Sequence, residues 1–361
     1  MNYKSIFNLL GILLGLFSLS FIPPLVLTFV YSESGREIFL YSFIFLFLLG
    51  GTLWVSTRQK NLPLNISDGF IITTMFWVVL ACAGSIPFYF FGLSIGDSIF
   101  ESVSGITTTG ATTIIGLDTL PKSILLYRQL LQWIGGMGLI ILAVAVMPAL
   151  GIGGGQLYKM ELPGSHGNQK LTPKITDSAK ALWKIYVGLT VLCATLYLIS
   201  GMSLFDSIAH SLSTVAGGGF STHDDSIGFF DSGLIETVCI VFMLLSAASF
   251  AVHYAAIFGG KPLKYFYDSE FRFFLSVIIL IIMISLLVHI ISNSYADIFS
   301  AIKSTIFHTV SIVTTSGFTT ENFSLWPGFL PYLLLVGAFM GACSQSVGGG
   351  IKAWRVLIMI N

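Results

Sequence analysis

Apolar residues in this chain run in long unbroken stretches rather than at the spacing of a single buried helix face. Crossing the hydrocarbon of a bilayer takes about 20 apolar residues. Eight stretches reach or approach that length, at roughly 6–31, 37–57, 69–92, 127–149, 180–201, 233–258, 272–292 and 329–360. Each predicts a membrane helix. Pro23-Pro24 predicts a kink near the outer end of the first. That first run is too long for the core of a cleavable signal, and no small-residue cleavage site ends it, so it reads as a retained helix. The last run is interrupted by a polar, glycine-rich insertion from Gly341 to Lys352. Non-helical backbone survives at membrane depth only where protein buries it or where it lines a wet cavity, so the insertion is not expected to face lipid.

From the third span onward the spans pair, and a semi-polar stretch lies between the members of each pair. Those three stretches match one another. They are Asp97-Ser-Ile-Phe-Glu-Ser-Val-Ser-Gly-Ile-Thr-Thr-Thr-Gly110-Ala-Thr-Thr113, Asp206-Ser-Ile-Ala-His-Ser-Leu-Ser-Thr-Val-Ala-Gly-Gly-Gly219-Phe-Ser-Thr222 and Ser304-Thr-Ile-Phe-His-Thr-Val-Ser-Ile-Val-Thr-Thr-Ser-Gly317-Phe-Thr-Thr320. Without gaps the first and second agree at 7 of 17 positions, the second and third at 7, and the first and third at 9. Chance at ordinary composition gives about one. The repeated unit is therefore a whole helix–loop–helix.

In each copy Asp97, Asp206 or Ser304 is expected to cap a short helix. Ile99, Ile208 and Ile306 are expected to pack inward. Such a helix is too short to span, so it must dip in and return. The residues after it are Thr, Ser, Gly and Ala. Gly110, Gly219 and Gly317 supply backbone freedom there, including positive φ. A strand of this composition presents carbonyl oxygens with no bulky side chain in the way. Rings of carbonyls replace the hydration shell of monovalent cations, and the negative C-terminal end of each short helix aims at the same place.

Composition narrows the class. Charged residues are 9 % of the chain, against about 25 % in soluble domains. The 55 % apolar content and zero formal charge exclude a soluble enzyme, a disordered chain and a basic nucleic-acid binder. With the N-terminus inside, 13 of 17 basic residues fall on the cytoplasmic side, as the positive-inside rule requires. Twelve of 17 acidic residues fall outside, which makes an outer face that concentrates cations. The four cysteines lie in apolar runs and read as buried hydrophobes rather than a disulfide framework. No HExxH, paired Asp or Ser-His-Asp set stands in the spans, so no enzyme is expected.

At these residues the chain resembles the TrkH/KtrB potassium-uptake family, and the resemblance extends over essentially its whole length. It rests on Ser104-Gly-Ile-Thr-Thr-Thr-Gly-Ala-Thr112, Trp133-Ile-Gly-Gly-Met-Gly138, Gln156-Leu-Tyr-Lys-Met-Glu-Leu-Pro-Gly164, Gly218-Gly-Phe-Ser-Thr222 and Gly348-Gly-Gly-Ile-Lys352. The resemblance implies an all-α polytopic membrane protein. Two leading transmembrane helices, 1–57, precede potassium-channel-like units of membrane helix, pore loop and membrane helix at 69–150, 180–258 and 272–361. A cytoplasmic loop fills 151–179. It implies a selectivity filter built from Thr108, Thr109, Gly110, Gly217, Gly218, Gly219, Thr315, Ser316 and Gly317, with potassium as the transported ion and no other cofactor. It implies an intramembrane gate loop at 341–350, marked by Gly348, Gly349, Gly350 and Lys352. It also implies a homodimer in a bacterial cytoplasmic (inner) membrane and a cytosolic TrkA-like or KtrA-like nucleotide-binding ring as regulatory partner. Glycine at all three filter positions implies potassium over sodium.

Two departures from the family pattern stand out. The second filter reads Ala216-Gly217-Gly218-Gly219-Phe220 where Ala-Thr-Gly-Gly-Phe is usual, which predicts a looser strand. Only three pore units are expected within these 361 residues where the resemblance implies four, so a non-conducting fragment or assembly partner stands beside potassium uptake as a reading, as does transport of sodium or another monovalent cation. Gated channel and H⁺- or Na⁺-coupled symport are not distinguished.

Other residues invite blander readings. His210 and His308 occupy the repeat position of Glu101 and read first as satisfied polar residues packing the pore helix, with polar support behind the filter or proton sensitivity as the functional alternative, and not as a metal site. His253 and His289 lie in spans and predict interhelical hydrogen bonds. Gly11, Gly15, Gly135, Gly136 and Gly138 predict close helix packing. Arg128 reads as an interfacial anchor, and Lys352 and Arg355 as cytoplasmic anchors. Gly151 to Gln156 is not a phosphate loop, since no GK[ST] follows, and the basic segment Lys159–Lys184 serves orientation or docks a regulator.

Overall fold

The apolar runs fold as helices. In the computed structural model residues 3–58, 66–145 and 175–360 are described, and among them there is no strand. The segment Gln156–Gly164 and most of the 151–179 loop lie outside the described residues. Two compact units follow the chain order. The first runs from the N-terminus through the helix ending at Ala145, and the second holds nearly all helices after residue 180.

In the first unit, α1 (Tyr3–Ser18) and α2 (Ile22–Val30) form one apolar path of 28 residues. The kink expected from Pro23-Pro24 is a single 3-10 turn, Leu19–Phe21. The prolines sit in the first turn of α2, where a missing N–H costs nothing. Helix α3 (Arg36–Thr57) packs along α1. A Cβ on Gly11 would lie 2.8 Å from the Gly50 carbonyl oxygen, so the two backbones meet where only glycine fits. Next come α4 (Ile66–Phe91), the short α5 (Ile95–Ile106) and α6 (Lys122–Ala145), and α5 packs on both long helices. Gly135 of α6 takes the end of α5, since a Cβ there would stand 2.0 Å from Ile106 O. The Tyr127 ring gathers Phe21, Phe39 and Phe88 at centroid distances of 5.2–5.7 Å, and its hydroxyl donates to Gly84 O at 2.8 Å.

The second unit holds α7 (Ile175–Ile199) from Ala181 onward, α8 (Leu204–Ala216), α9 (Gly233–Ala247) and α10 (Phe250–Ile257). It continues with α11 (Lys264–Tyr267), α12 (Ser269–Ser292), α13 (Ile298–Val313), α14 (Leu330–Met340) and α15 (Ala353–Ile360). The run 233–258, expected as one helix, bends by 103° at Ala248-Ser249. The cause is tertiary: loop residues enter the break, where Cys343 N donates to Ala247 O at 3.0 Å and Phe250 N to Gln345 O at 2.9 Å. Ser249 then caps α10 by accepting from Ala251 N.

Among the described residues five helices are long and apolar enough to cross a membrane, and six if the bent pair counts as one span. Their outward faces are apolar: Phe45, Phe47 and Leu48 on α3 and Ile279, Leu280, Met283 and Leu287 on α12 are more than half exposed. That surface suits lipid tails and not water. The chain is an all-α polytopic membrane protein.

Candidate ion-conduction site

The three short helices α5, α8 and α13 begin earlier than the repeat suggested. Ser94 caps α5 and Ser203 caps α8, each accepting from the backbone N–H three residues on, at 3.1 Å. Asp97 and Asp206 are the reciprocal members of these capping boxes and take the serine hydroxyls at 2.6 and 2.7 Å. In the third copy Asp297 is the cap, through Ser300 N at 2.9 Å, and Ser304 lies inside α13. Ile99 and Ile208 are 41 % and 43 % exposed, not packed inward. The inward face of α5 is the polar one, Ser98, Glu101, Ser102 and Gly105.

All three helices end alike. Thr108, Gly217 and Thr315 take left-handed φ of 55°, 65° and 63°. Their N–H groups donate to Gly105, Thr214 and Ile312 carbonyls at 3.0–3.1 Å, and the following N–H groups of Thr109, Gly218 and Ser316 donate to Ser104, Ser213 and Ser311 at 2.9–3.0 Å. This is the Schellman closure, in which glycine is the usual left-handed residue. Gly217 therefore fits its place, and it is the two threonines that carry strain. Two residues on, Gly110, Gly219 and Gly317 return to φ of 77–85°. Every candidate filter strand thus alternates left-handed, not, left-handed.

One side chain braces each strand from behind. Glu101 accepts from Thr112 Oγ1 at 2.5 Å and Thr113 N at 2.8 Å. His210 Nε2 pairs with Ser221 Oγ at 3.0 Å. His308 Nε2 receives Thr320 N at 3.3 Å. At this repeat position all three side chains are satisfied polar groups on the short helices, as the packing reading expects. Arg128 differs from expectation: it is fully buried, its Nε donates to Glu101 at 3.1 Å and its Nη2 to Thr112 at 2.9 Å. A charge within a span must find a partner, and that rule was the available signal for this pair. His253 bonds Tyr265 Oη at 2.6 Å and Leu245 O at 2.9 Å. Buried His289 has no hydrogen-bond partner among the described residues and sits edge-on to Tyr295 and Trp326 instead.

The second unit brings two candidate strands and the glycine-rich loop together. A Cβ on Gly219 would lie 2.0 Å from Ser316 O. Gly228 N reaches Thr319 O at 3.2 Å, and Ser226 Oγ receives Thr319 N at 3.2 Å. Beneath them the loop closes on itself through Ala342 N to Gly349 O at 3.2 Å, with Gly341 and Gly350 at φ 69° and 83°. Gly348 lies so near Thr314 O that a Cβ would stand 2.9 Å away, and Gly349 N donates to the Thr315 hydroxyl at 2.6 Å. The Lys352 ammonium is no cytoplasmic anchor. It donates back to the Gly348 and Ser346 carbonyls of its own loop, while Arg355 is exposed. Thr108, Thr109 and Gly110 belong to the first unit.

Outside the strands, Asp224, Asp225, Thr320 and Glu321 line a recess of about 400 Å³. Burial pushes the Glu321 carboxyl up, but hydrogen bonds from Ser304, Tyr295 and Trp326 outweigh it and hold it below the usual range. A depressed carboxyl stabilises the fold above its unfolded value of about 4.3 and loses that contribution as pH falls through the folded value. The thermal stability of purified protein should therefore fall on acidification below about pH 4.3, and Glu321→Gln should flatten that dependence.

The sequence of residues 35–361 matches the family described as TrkH, cation transport protein. The chain belongs to the TrkH cation transport family. It is 46 % identical to the Trk system potassium uptake protein TrkH of Vibrio parahaemolyticus, over 99 % of this chain and 75 % of that protein. It is 44 % identical to TrkH of Escherichia coli, over 100 % and 75 %. The crystal structure of the potassium transporter TrkH from Vibrio parahaemolyticus superposes with a TM-score of 0.89 at 44 % identity, over 100 % of this chain and 75 % of that one. TrkH proteins are transporters, and this member is not an enzyme.

Proposed function

We propose that this chain carries potassium inward across a bacterial cytoplasmic membrane as the membrane subunit of a Trk-type system. The carbonyls of Thr108, Thr109, Gly110, Gly217, Gly218, Gly219, Thr315, Ser316 and Gly317 serve as selectivity-filter ligands, and the loop Gly341–Gly350, with Lys352, is the gate. The observation that carries this reading is the same strand built three times: a helix C-terminus, a left-handed residue, a second left-handed residue two positions on, and a polar brace behind. The loop beneath two of these strands is tied to a strand hydroxyl, as a gate requires. By its family the subunit forms a homodimer and receives a TrkA-like nucleotide-binding ring on its cytoplasmic face.

Potassium-limited growth of uptake-deficient cells tests this. Expression of the chain restores growth, and Gly110→Arg, which puts a cation in the filter, removes the rescue. Absence of rescue by a well-inserted parent chain overturns the conducting reading in favour of an assembly role.

A further inference from the structure

The loop Gly341–Gly350 has a neck and a tip, and different groups hold each. The tip rests on Thr315. The neck is held by Glu270, in the first turn of α12, which no motif or family reading marked. One oxygen of its carboxylate accepts Ser344 N at 2.5 Å and Trp354 N at 3.1 Å. These donors lie on opposite limbs of the loop, one just inside it and one in the first turn of α15. Glu270 is 9 % exposed. Asp268 caps this first turn of α12 through Phe271 N at 2.9 Å. Charge-assisted bonds of this kind are about twice as strong as neutral ones. The rest of the neck is glycine against glycine, where a Cβ on Gly341 would meet Gly350 Cα at 2.5 Å, closed by backbone bonds from Ala342 N to Gly349 O at 3.2 Å and from Ala353 N to Ala342 O at 3.0 Å.

We infer that Glu270 is the positioning residue of the gate: its carboxylate staples both limbs of the loop to α12, and breaking that staple is the step that lets the loop leave its seat. The inference rests on the gate reading above. The α12 helix itself need not move.

The molecule carries its own reporter. Cys343 is fully buried in the loop beside Ser344, and Cys193 and Cys239 are buried elsewhere in the same unit. In the full chain with Cys82→Ser, the rate of Cys343 modification by a methanethiosulfonate reagent is measured with potassium flux in proteoliposomes. Glu270→Met should raise the Cys343 rate about tenfold or more, with Cys193 and Cys239 still protected. Glu270→Gln, which keeps an acceptor oxygen, should stay within a few-fold of the parent. Flux should rise with the Cys343 rate while the potassium-to-sodium ratio holds. An unchanged Cys343 rate in Glu270→Met overturns the staple. A raised rate without raised flux keeps the staple and overturns the gate reading. If Glu270→Met exposes all three thiols, Glu270→Asp, one methylene short, decides: selective exposure of Cys343 supports the staple, and no exposure overturns it.

Discussion

Gly219→Ala abolishes potassium uptake while the protein remains in the membrane. Two independent costs converge on this residue. Its φ of 77° lies in the left-handed region, where a Cβ costs about 1–2 kcal/mol. The larger cost is steric. The new methyl would stand 2.0 Å from Ser316 O and 3.3 Å from Gly317 C, both backbone atoms of the third strand, so no side-chain rotation relieves it. One of the two strands must shift, and carbonyls set to replace a hydration shell then lose their spacing. Gly317→Ala is the informative contrast. Its φ is 85°, but nothing lies within 4 Å of its Cβ position, so it bears the conformational cost alone. Uptake rates normalised to membrane protein should put Gly219→Ala at background and Gly317→Ala well above it. Equal rates for Gly219→Ala and the parent would mean that the two strands do not meet as described.

The contrast also shows what a linear sequence discloses. The repeat aligns Thr108, Gly217 and Thr315, and the structure gives these positions one shared backbone conformation. The same alignment misplaced the helix starts. Ser94 and Ser203 lie three residues before the matching window, and in the third copy the cap moves to Asp297. The inward placement of Ile99 and Ile208 failed for a physical reason: the rule that apolar residues go inside was learned in water. In a membrane, the polar face of a short helix has more to gain from the protein. The bend at Ala248-Ser249 carries no proline or glycine to announce it, because loop residues 95 and 96 positions from their partners in the chain create it. Glu270 was invisible for the same reason. An acid at the start of an apolar helix looks like an ordinary dipole partner until Ser344 and Trp354 arrive beside it.

Arg128→Leu lowers stability by about 3–5 kcal/mol, the cost of leaving its buried partner charge uncompensated. Arg128 and Glu101 are both fully buried, 27 residues apart, with Thr112 bonded to each. Thermal unfolding of purified protein measures the loss. Arg128→Lys recovers little, because one compact ammonium does not reproduce the guanidinium fork that reaches Glu101 and Thr112 together. The double change Glu101→Leu with Arg128→Leu recovers most of the stability, since replacing a buried pair by apolar side chains is often neutral. Uptake does not recover with it. Thr113 N loses the acceptor that holds the returning strand, and the first candidate filter strand goes unbraced. The pair is therefore expected to separate two properties that fail together in each single variant: the stability belongs to the balance of charge, and the transport belongs to the carboxylate that reaches the strand. A double variant that transports like the parent would show that Glu101 serves the fold alone.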